Sequence, residues 1–449
     1  MSRSKHKLTE KSQTNLNIKT YKNDKPQVPF GVLFVRCLGI AAFLVFATST
    51  WAQSVVDSPF LQVVREAAYA YPQTQSAAQG LEAARQDQTA ATWQRIASPS
   101  FQRISPQGNN TSGQINRLAL EQPIYAGGRI TAGIDAAEHR YYAAYQQHQY
   151  TAQETAIKVI NAWYEWQRQN DRVITLQDGV RAHRQLRDQI QRRAQESVSP
   201  EIDLSLAIAR LSQMQSELAQ AQSAASTGWA LLMQLAADQL PTLNDTASVL
   251  NSSLLPRPVN EWVTLSLERD PLLAKLSAEQ AAAEADIRVK KAQWLPSVSV
   301  VVERNYGSDL VPHQRTWLQV SAQPGAGLSS LANVRAAIAR QESAAEMRRN
   351  AERELKQSMT ADLANYVAAT EQMSVAHLLR KSTQDVADSY ARQFVAGRKS
   401  WLDVLNAVRE TVQARLSVLD ARSLQGQTAW RLHIRAYGLE QATSAGGLS

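Results

Sequence analysis

The chain has 449 residues, room for two or three ordinary domains or one extended one, and carries a formal charge of +8. Residues 1–52 hold eight Lys/Arg and two Asp/Glu, so losing them takes the charge from +8 to +2 and removes any reason to invoke nucleic acid. The single cysteine, Cys37, lies in that same segment, so the remainder excludes disulfide scaffolds, thiolate metal sites and cysteine nucleophiles.

Residues 1–52 read as a signal peptide. Lys5, Lys7, Lys11, Lys19, Lys22, Lys25 and Arg36 make a basic start. Cys37 to Ala47 is an apolar stretch too short to span a bilayer as a helix, and Thr50-Trp51-Ala52 offers a small-x-small cleavage site. Arg36 before Cys37 does not suit a lipoprotein signal. No later stretch approaches 18 unbroken apolar residues, so the exported chain is periplasmic, secreted or a β-barrel.

The rest of the chain is written twice, about 200 residues apart. Gln122-Pro123 recurs as Gln323-Pro324, and Ala136, Ala137 and Arg140 recur as Ala336, Ala337 and Arg340. Asp203, Ala207, Gln213, Ala221 and Leu232 recur as Asp403, Ala407, Gln413, Ala421 and Leu432. The expected layout is a first structural repeat over 53–240, a linker at 241–258, a second repeat over 259–440 and a flexible tail at 441–449.

Each repeat opens with one predicted helical stretch, Ser58 to Trp93 and Val259 to Gln293, ending before Pro99 or Pro296. Two strands follow in each. Val298, Val300 and Val302 alternate with Ser299, Val301 and Glu303, and Leu318, Val320 and Ala322 alternate with Trp317, Gln319 and Ser321. In the first repeat Leu118 and Leu120 alternate with Arg117, Ala119 and Glu121, while Pro99 to Ser105 is a weaker strand. Such alternation is what a membrane strand needs. Four strands per chain cannot close a barrel, so several copies must combine. Ser105 to Gly113 and Asn305 to Pro312 are expected to be hairpin loops.

Long helices come next. Leu328 to Ala396 contains neither Gly nor Pro, and Thr131 to Glu196 no Pro, so either run reaches roughly 100 Å. Apolar seams recur at three- and four-residue spacing: Ala152, Ala156, Val159, Ile160 and Trp163, then Leu355, Met359, Leu363, Tyr366 and Val367. Helices with such narrow seams need neighbours along their whole length.

Short breaks divide these helices from the ones that follow. At the first, Ser199 can cap the next helix, with Pro200 in its first turn. At the second, Gly397 can take the left-handed conformation, and Ser400 with Asp403 can form a capping box.

The Gln122 to Gly128 junction (QPIYAGG), the tip G-x-x-S-x-x-D-V-L-x-A from Gly397 to Ala407 and the duplicated plan resemble TolC-like outer-membrane efflux and type I secretion channels. The resemblance covers nearly the whole exported chain. It implies a mainly α fold with a small β part: duplicated long-helix hairpins forming a trimeric α-barrel, plus four strands per chain in a shared 12-stranded transmembrane β-barrel. It implies a homotrimer in the outer membrane, in contact with its lipid, with helices in the periplasm. The implied partners are a periplasmic adaptor (membrane fusion) protein and, through it, an inner-membrane ABC or proton-driven exporter.

The family also implies site residues. The hairpin tips Ser197, Val198, Ser199, Pro200, Gly397, Arg398, Lys399 and Ser400 would receive the adaptor. Asp403 matches a family acid that narrows the tunnel, whereas the next such position is Asn406, which halves the expected charge. Lys399 and Asp203 match a basic–acidic latch holding the closed state. The nearby aromatic is Phe394, which has no hydroxyl to add to it. The first tip has Ser197 where the second has Gly397, so only one of the two tip types is expected to use the usual adaptor geometry.

Catalytic, cofactor and metal sites are not expected, since no nucleophile elbow, phosphate loop or H-E-x-x-H occurs. His139 and His148 lack helical ligand spacing. Tyr141, Tyr142, Tyr145, Trp163, Tyr164 and Trp166 are expected to pack between helices. The alternative to a channel is a periplasmic structural or adaptor-like coiled coil, soluble without detergent.

Overall fold

The computed structural model describes residues 59–105, 114–236, 258–307, 310–322 and 329–439. The expected signal peptide, nearly all of the linker, the tail, the loop residues 106–113 and the repeated Gln323-Pro324 lie outside the described residues. The first half runs α1 (Pro59–Ala70), α2 (Pro72–Trp93), β1 (Ser98–Ile104), β2 (Ile115–Tyr125), α3 (Arg129–Gln195) and α4 (Glu201–Ala236). The second runs α5 (Val259–Arg269), α6 (Pro271–Ala292), β3 (Ser297–Gly307), β4 (Leu310–Ser321), α7 (Ser329–Val395) and α8 (Trp401–Tyr437). Both α3 and α7 have 67 residues, about 100 Å of helix.

Two expectations need correction. Each opening stretch is two helices rather than one. Tyr71 (ψ 135°) and Asp270 (ψ 121°) are extended because a following proline disfavours helical backbone. The Asp270 side chain then accepts from the Leu273 amide at 2.9 Å and starts α6. The predicted loop Asn305 to Pro312 is also mostly strand, with Asn305 paired to His313 and Gly307 to Leu310. Pro312 falls on an edge strand at the irregularity of this pairing, between Leu310 and His313, the kind of place where a proline is tolerated in a sheet.

The four strands form one antiparallel sheet in the order β1-β2-β3-β4, with β1 and β4 at the open edges. Pro123 sits in the central strand β2, where a bulge between Pro123 and Tyr125 absorbs its missing donor. Gln122 braces this bend by donating to the Arg95 carbonyl at 3.0 Å.

The helices pack side by side, α3 against α4 and α8, and α8 against α7. The first predicted seam is buried in a core with Phe60, Leu232, Trp430 and Ile434. In the second seam Met359 and Leu363 are buried beside Trp262 and Leu432, but Val367 is 55% exposed. Trp163 and Tyr164 meet edge to face at 4.8 Å, and the Trp430 indole donates to the Tyr164 hydroxyl at 3.2 Å. That ring explains Gly426 in α8, where a Cβ would lie 2.2 Å from Tyr164 Cε1. Tyr142 and Tyr145, expected to pack between helices, instead stack on one another at the surface, 49% and 39% exposed.

Candidate functional site: the sheet wall and the helix-hairpin tips

The register sorts the sheet into two chemically distinct faces. Pro99, Leu120, Val302 and Thr316 form one cross-strand row, and Phe101, Leu118, Arg304 and Gln314 the next. Towards the helices the same face carries Val300 with Leu318, then Val298 with Val320. These apolar side chains are open to the surroundings: Phe101 is 60% exposed, Leu318 62% and Val320 64%. The alternation expected from the sequence is therefore realised as a continuous apolar wall.

The opposite face is concave and polar. Ser299, Val301, Glu303 and Asn305 are buried along β3. Glu303 pairs with Arg117 at 3.3 Å, accepts from the side-chain Nδ2 of Asn305 at 2.6 Å and lies opposite Arg315 on β4. Where the sheet meets the helices, Trp93, Ile96, Ile124, Tyr125, Trp294 and Leu295 stay exposed, an amphipathic fringe of the kind that sits at a membrane–water boundary.

At the far end of the long helices the two tips have the same backbone. Ser197 (φ 59°) and Gly397 (φ 74°) both take the left-handed conformation. Val198 N–H reaches back to the Arg193 carbonyl at 2.8 Å, and Arg398 N–H to the Gln393 carbonyl at 2.9 Å. The expected difference between the tips is thus absent from the backbone: Ser197 adopts the glycine geometry. Ser400 and Asp403 form the predicted capping box, the Asp403 amide donating to Ser400 Oγ at 3.2 Å and the Ser400 amide to Asp403 Oδ2 at 3.3 Å. Val198, Ile202, Val395 and Leu402 project apolar surface around the tips, Val395 at 79% exposure.

Behind the tips, Leu186, Ile190, Ala207, Phe394, Val404 and Leu405 form a buried cluster that ties all four helix ends together. The predicted latch is not made within this chain. Lys399 pairs instead with Asp403 at 3.8 Å and lies 4.3 Å from the centre of the Tyr390 ring. The local turn brings Lys399 back over its own hairpin, which Asp203, on the other hairpin, does not share. Asn406 and Asp203 are half-buried, and Ser199 and Lys399 are the half-buried members of the two tips, whose other residues are exposed.

Sequence reasoning missed two residues here. Arg193 stacks its guanidinium 4.4 Å from the centre of the Phe394 ring, joining the end of α3 to the end of α7. Tyr390 supplies the ring under Lys399. No linear spacing announces either contact, because Arg193 and Phe394 belong to different repeats and Tyr390 meets Lys399 only across the turn.

Between α3 and α7, over α8, an open groove of about 660 Å³ is lined by Asp178, Gln384, Asp388, Thr411 and Arg415 among others. Arg415 spans it, pairing with Asp178 at 3.5 Å and donating to Gln384 at 2.8 Å. Among the described residues no three His, Cys, Asp or Glu side chains gather as a metal cluster.

Residues 262–434 match the family described as outer membrane efflux protein. No curated protein sequence matches the chain. Solved structures match its fold at low identity. A membrane protein from Pseudomonas aeruginosa is 17% identical with a TM-score of 0.73, covering 84% of this chain and 92% of its own. The outer membrane protein VceC of Vibrio cholerae is 16% identical with a TM-score of 0.72, covering 84% and 96%. The CmeC outer membrane channel of Campylobacter jejuni is 14% identical with a TM-score of 0.69, covering 87% and 91%.

Proposed function

We propose that this chain, which carries an outer membrane efflux protein domain across its second half and has the fold of TolC-like outer-membrane channels, is one protomer of a homotrimeric exit duct in a tripartite export system. The observation that carries this reading is the sheet: apolar on its exposed face, polar on its concave face, and open at both edges. In hydrocarbon every edge amide and carbonyl must find a partner, and four strands cannot curl far enough to supply their own. Three copies, joining β4 of one to β1 of the next, give twelve strands with no edge. The polar faces then line a water-filled passage, which the long helices continue into the periplasm.

In this reading the exposed apolar tips receive a periplasmic adaptor, which links the duct to an inner-membrane ABC or proton-driven pump. Asp403 and Asn406 face the aperture, with three copies of Asp403 favouring cations by like-sign focusing. The latch is revised to the contacts at hand: Arg193 on Phe394 holds the two hairpins together, and Lys399 screens Asp403. The test is outer-membrane fractionation followed by mass measurement of the detergent-solubilised protein. Three protomers per particle are expected. A monomer that stays in solution without detergent would overturn the reading and favour the periplasmic coiled coil.

A further inference from the structure

The charges of the sheet are divided between its faces in a way that pore lining does not explain. On the described strands both acids, Glu121 and Glu303, lie on the concave face, together with Arg117 and Arg315. Arg117 pairs with Glu303, and Arg315 contacts His313 at 3.0 Å. The apolar face holds no acid, yet two arginines stand on it. Arg103 on β1 shares a row with Asn116 and Tyr306, and Arg304 on β3 lies one row nearer the helices, opposite Leu118. Both are exposed. Arg103 donates to Gln114 through one nitrogen, while Arg304 has no hydrogen bond or ion pair among the described residues.

Their height on the wall is as telling as their face. Chain direction places Ser98, Tyr125, Ser297 and Ser321 at the helix end of the sheet, and Ile104, Ile115, Gly307 and Leu310 at the hairpin end. The arginines therefore sit towards the hairpin end, Arg304 level with the last apolar residues Phe101 and Leu118 and Arg103 one row beyond them. Strand spacing and rise put their Cα atoms roughly 12 Å apart, within joint reach of two extended guanidinium groups. Uncompensated arginines at the rim of an apolar band match phosphate, which accepts bidentate, charge-assisted bonds from such forks.

We infer that Arg103 and Arg304, with Tyr306 beside them, form a lipid-facing clamp for the phosphates of the outer-leaflet saccharolipid, lipid A. This rests on the channel reading, which puts the hairpin end at the outer leaflet. The acyl chains lie along the Phe101, Leu118, Leu120 and Val302 wall, and the phosphorylated sugar meets the guanidinium groups above it.

The test reconstitutes the full-length assembly with diphosphoryl lipid A and counts retained lipids by native mass spectrometry. The wild type is expected to keep lipid A through delipidation, and the double variant Arg103→Gln/Arg304→Gln to retain at least tenfold less. The Arg315→Gln variant, which removes charge from the concave face, should retain lipid as the wild type does. Equal retention by the double variant and the wild type overturns the inference, as does parallel loss in Arg315→Gln. Should the double variant fail to assemble, the wild type decides alone: retention that is the same for dephosphorylated lipid A also overturns it. A monomeric, detergent-independent wild type would refute the channel reading itself, whereas a trimer indifferent to lipid A phosphate refutes only the clamp.

Discussion

Ser197 shows how one residue can carry a cost that its surroundings conceal. It holds a left-handed backbone at the same place in the turn where Gly397 holds one, and a non-glycine residue costs roughly 1–2 kcal/mol there. Among the described residues nothing lies within 4 Å of where a Cβ on Gly397 would stand, so backbone conformation alone distinguishes the two tips. Ser197→Gly should stabilise the first hairpin by about 1 kcal/mol, and Gly397→Ala should weaken the second by a similar amount. Hydrogen exchange at the Val198 and Arg398 amides reads these changes directly, and unchanged protection in both variants would contradict the argument. Lys399 is the second residue to test. It lies against Asp403 and Tyr390, so Lys399→Glu sets like charges side by side and removes the stacking. Single-channel conductance in planar bilayers should rise, and an unchanged conductance would remove Lys399 from the gate. Both positions were legible as turn residues from Gly, Ser and Asp spacing. The partner of Lys399 was not, because the choice between Asp203 and Asp403 depends on how the turn folds back over its own hairpin.

At the scale of the element, α8 combines a buried face with a buried titratable group. His433 packs against Trp430 and 4.9 Å from Tyr437, and its Nδ1 has no hydrogen-bond partner among the described residues. Burial pushes its pKa down to about 4. His183 in α3 moves the same way for the same reason, although its Nδ1 lies 2.9 Å from the Gly179 carbonyl. A base whose folded pKa is depressed binds fewer protons folded than unfolded, so its contribution is complete above the unfolded value near 6.5 and is lost as pH falls towards 4. For His433 the loss between pH 7 and pH 5 is about 2 kcal/mol per chain. Thermal melting of the detergent-solubilised protein should therefore fall more between those pH values in the wild type than in His433→Phe. Equal falls would show that His433 is not the group responsible. Helix lengths, their seams and the capping box at Ser400 followed from periodicity and local chemistry. The splits at Tyr71 and Asp270 were missed even though Pro72 and Pro271 were in view, because the helical pattern runs on through both prolines.

For the whole molecule, the consequence that matters most is an incompleteness. A sheet with two open edges and an exposed apolar face is unsatisfied as a single chain, in water for its side chains and in lipid for its backbone. Mass measurement after solubilisation is decisive for that reason: stoichiometry is where the missing hydrogen bonds must appear. The repeat, the two 67-residue helices, the strand alternation and the count of four strands could all be read from the chain, since each depends on residues near one another or on a constant offset near 200. Other features required the fold, because they are relations between segments far apart in the chain. The sheet order that leaves β1 and β4 at the edges is one, and the meeting of Arg193 with Phe394 is another. So is the sorting of arginines, with Arg117 facing Glu303 and Arg304 facing outward. Alternation along a strand says that two faces differ; only the pairing register and the curvature of the sheet decide which residues of neighbouring strands share a face, and which face is concave.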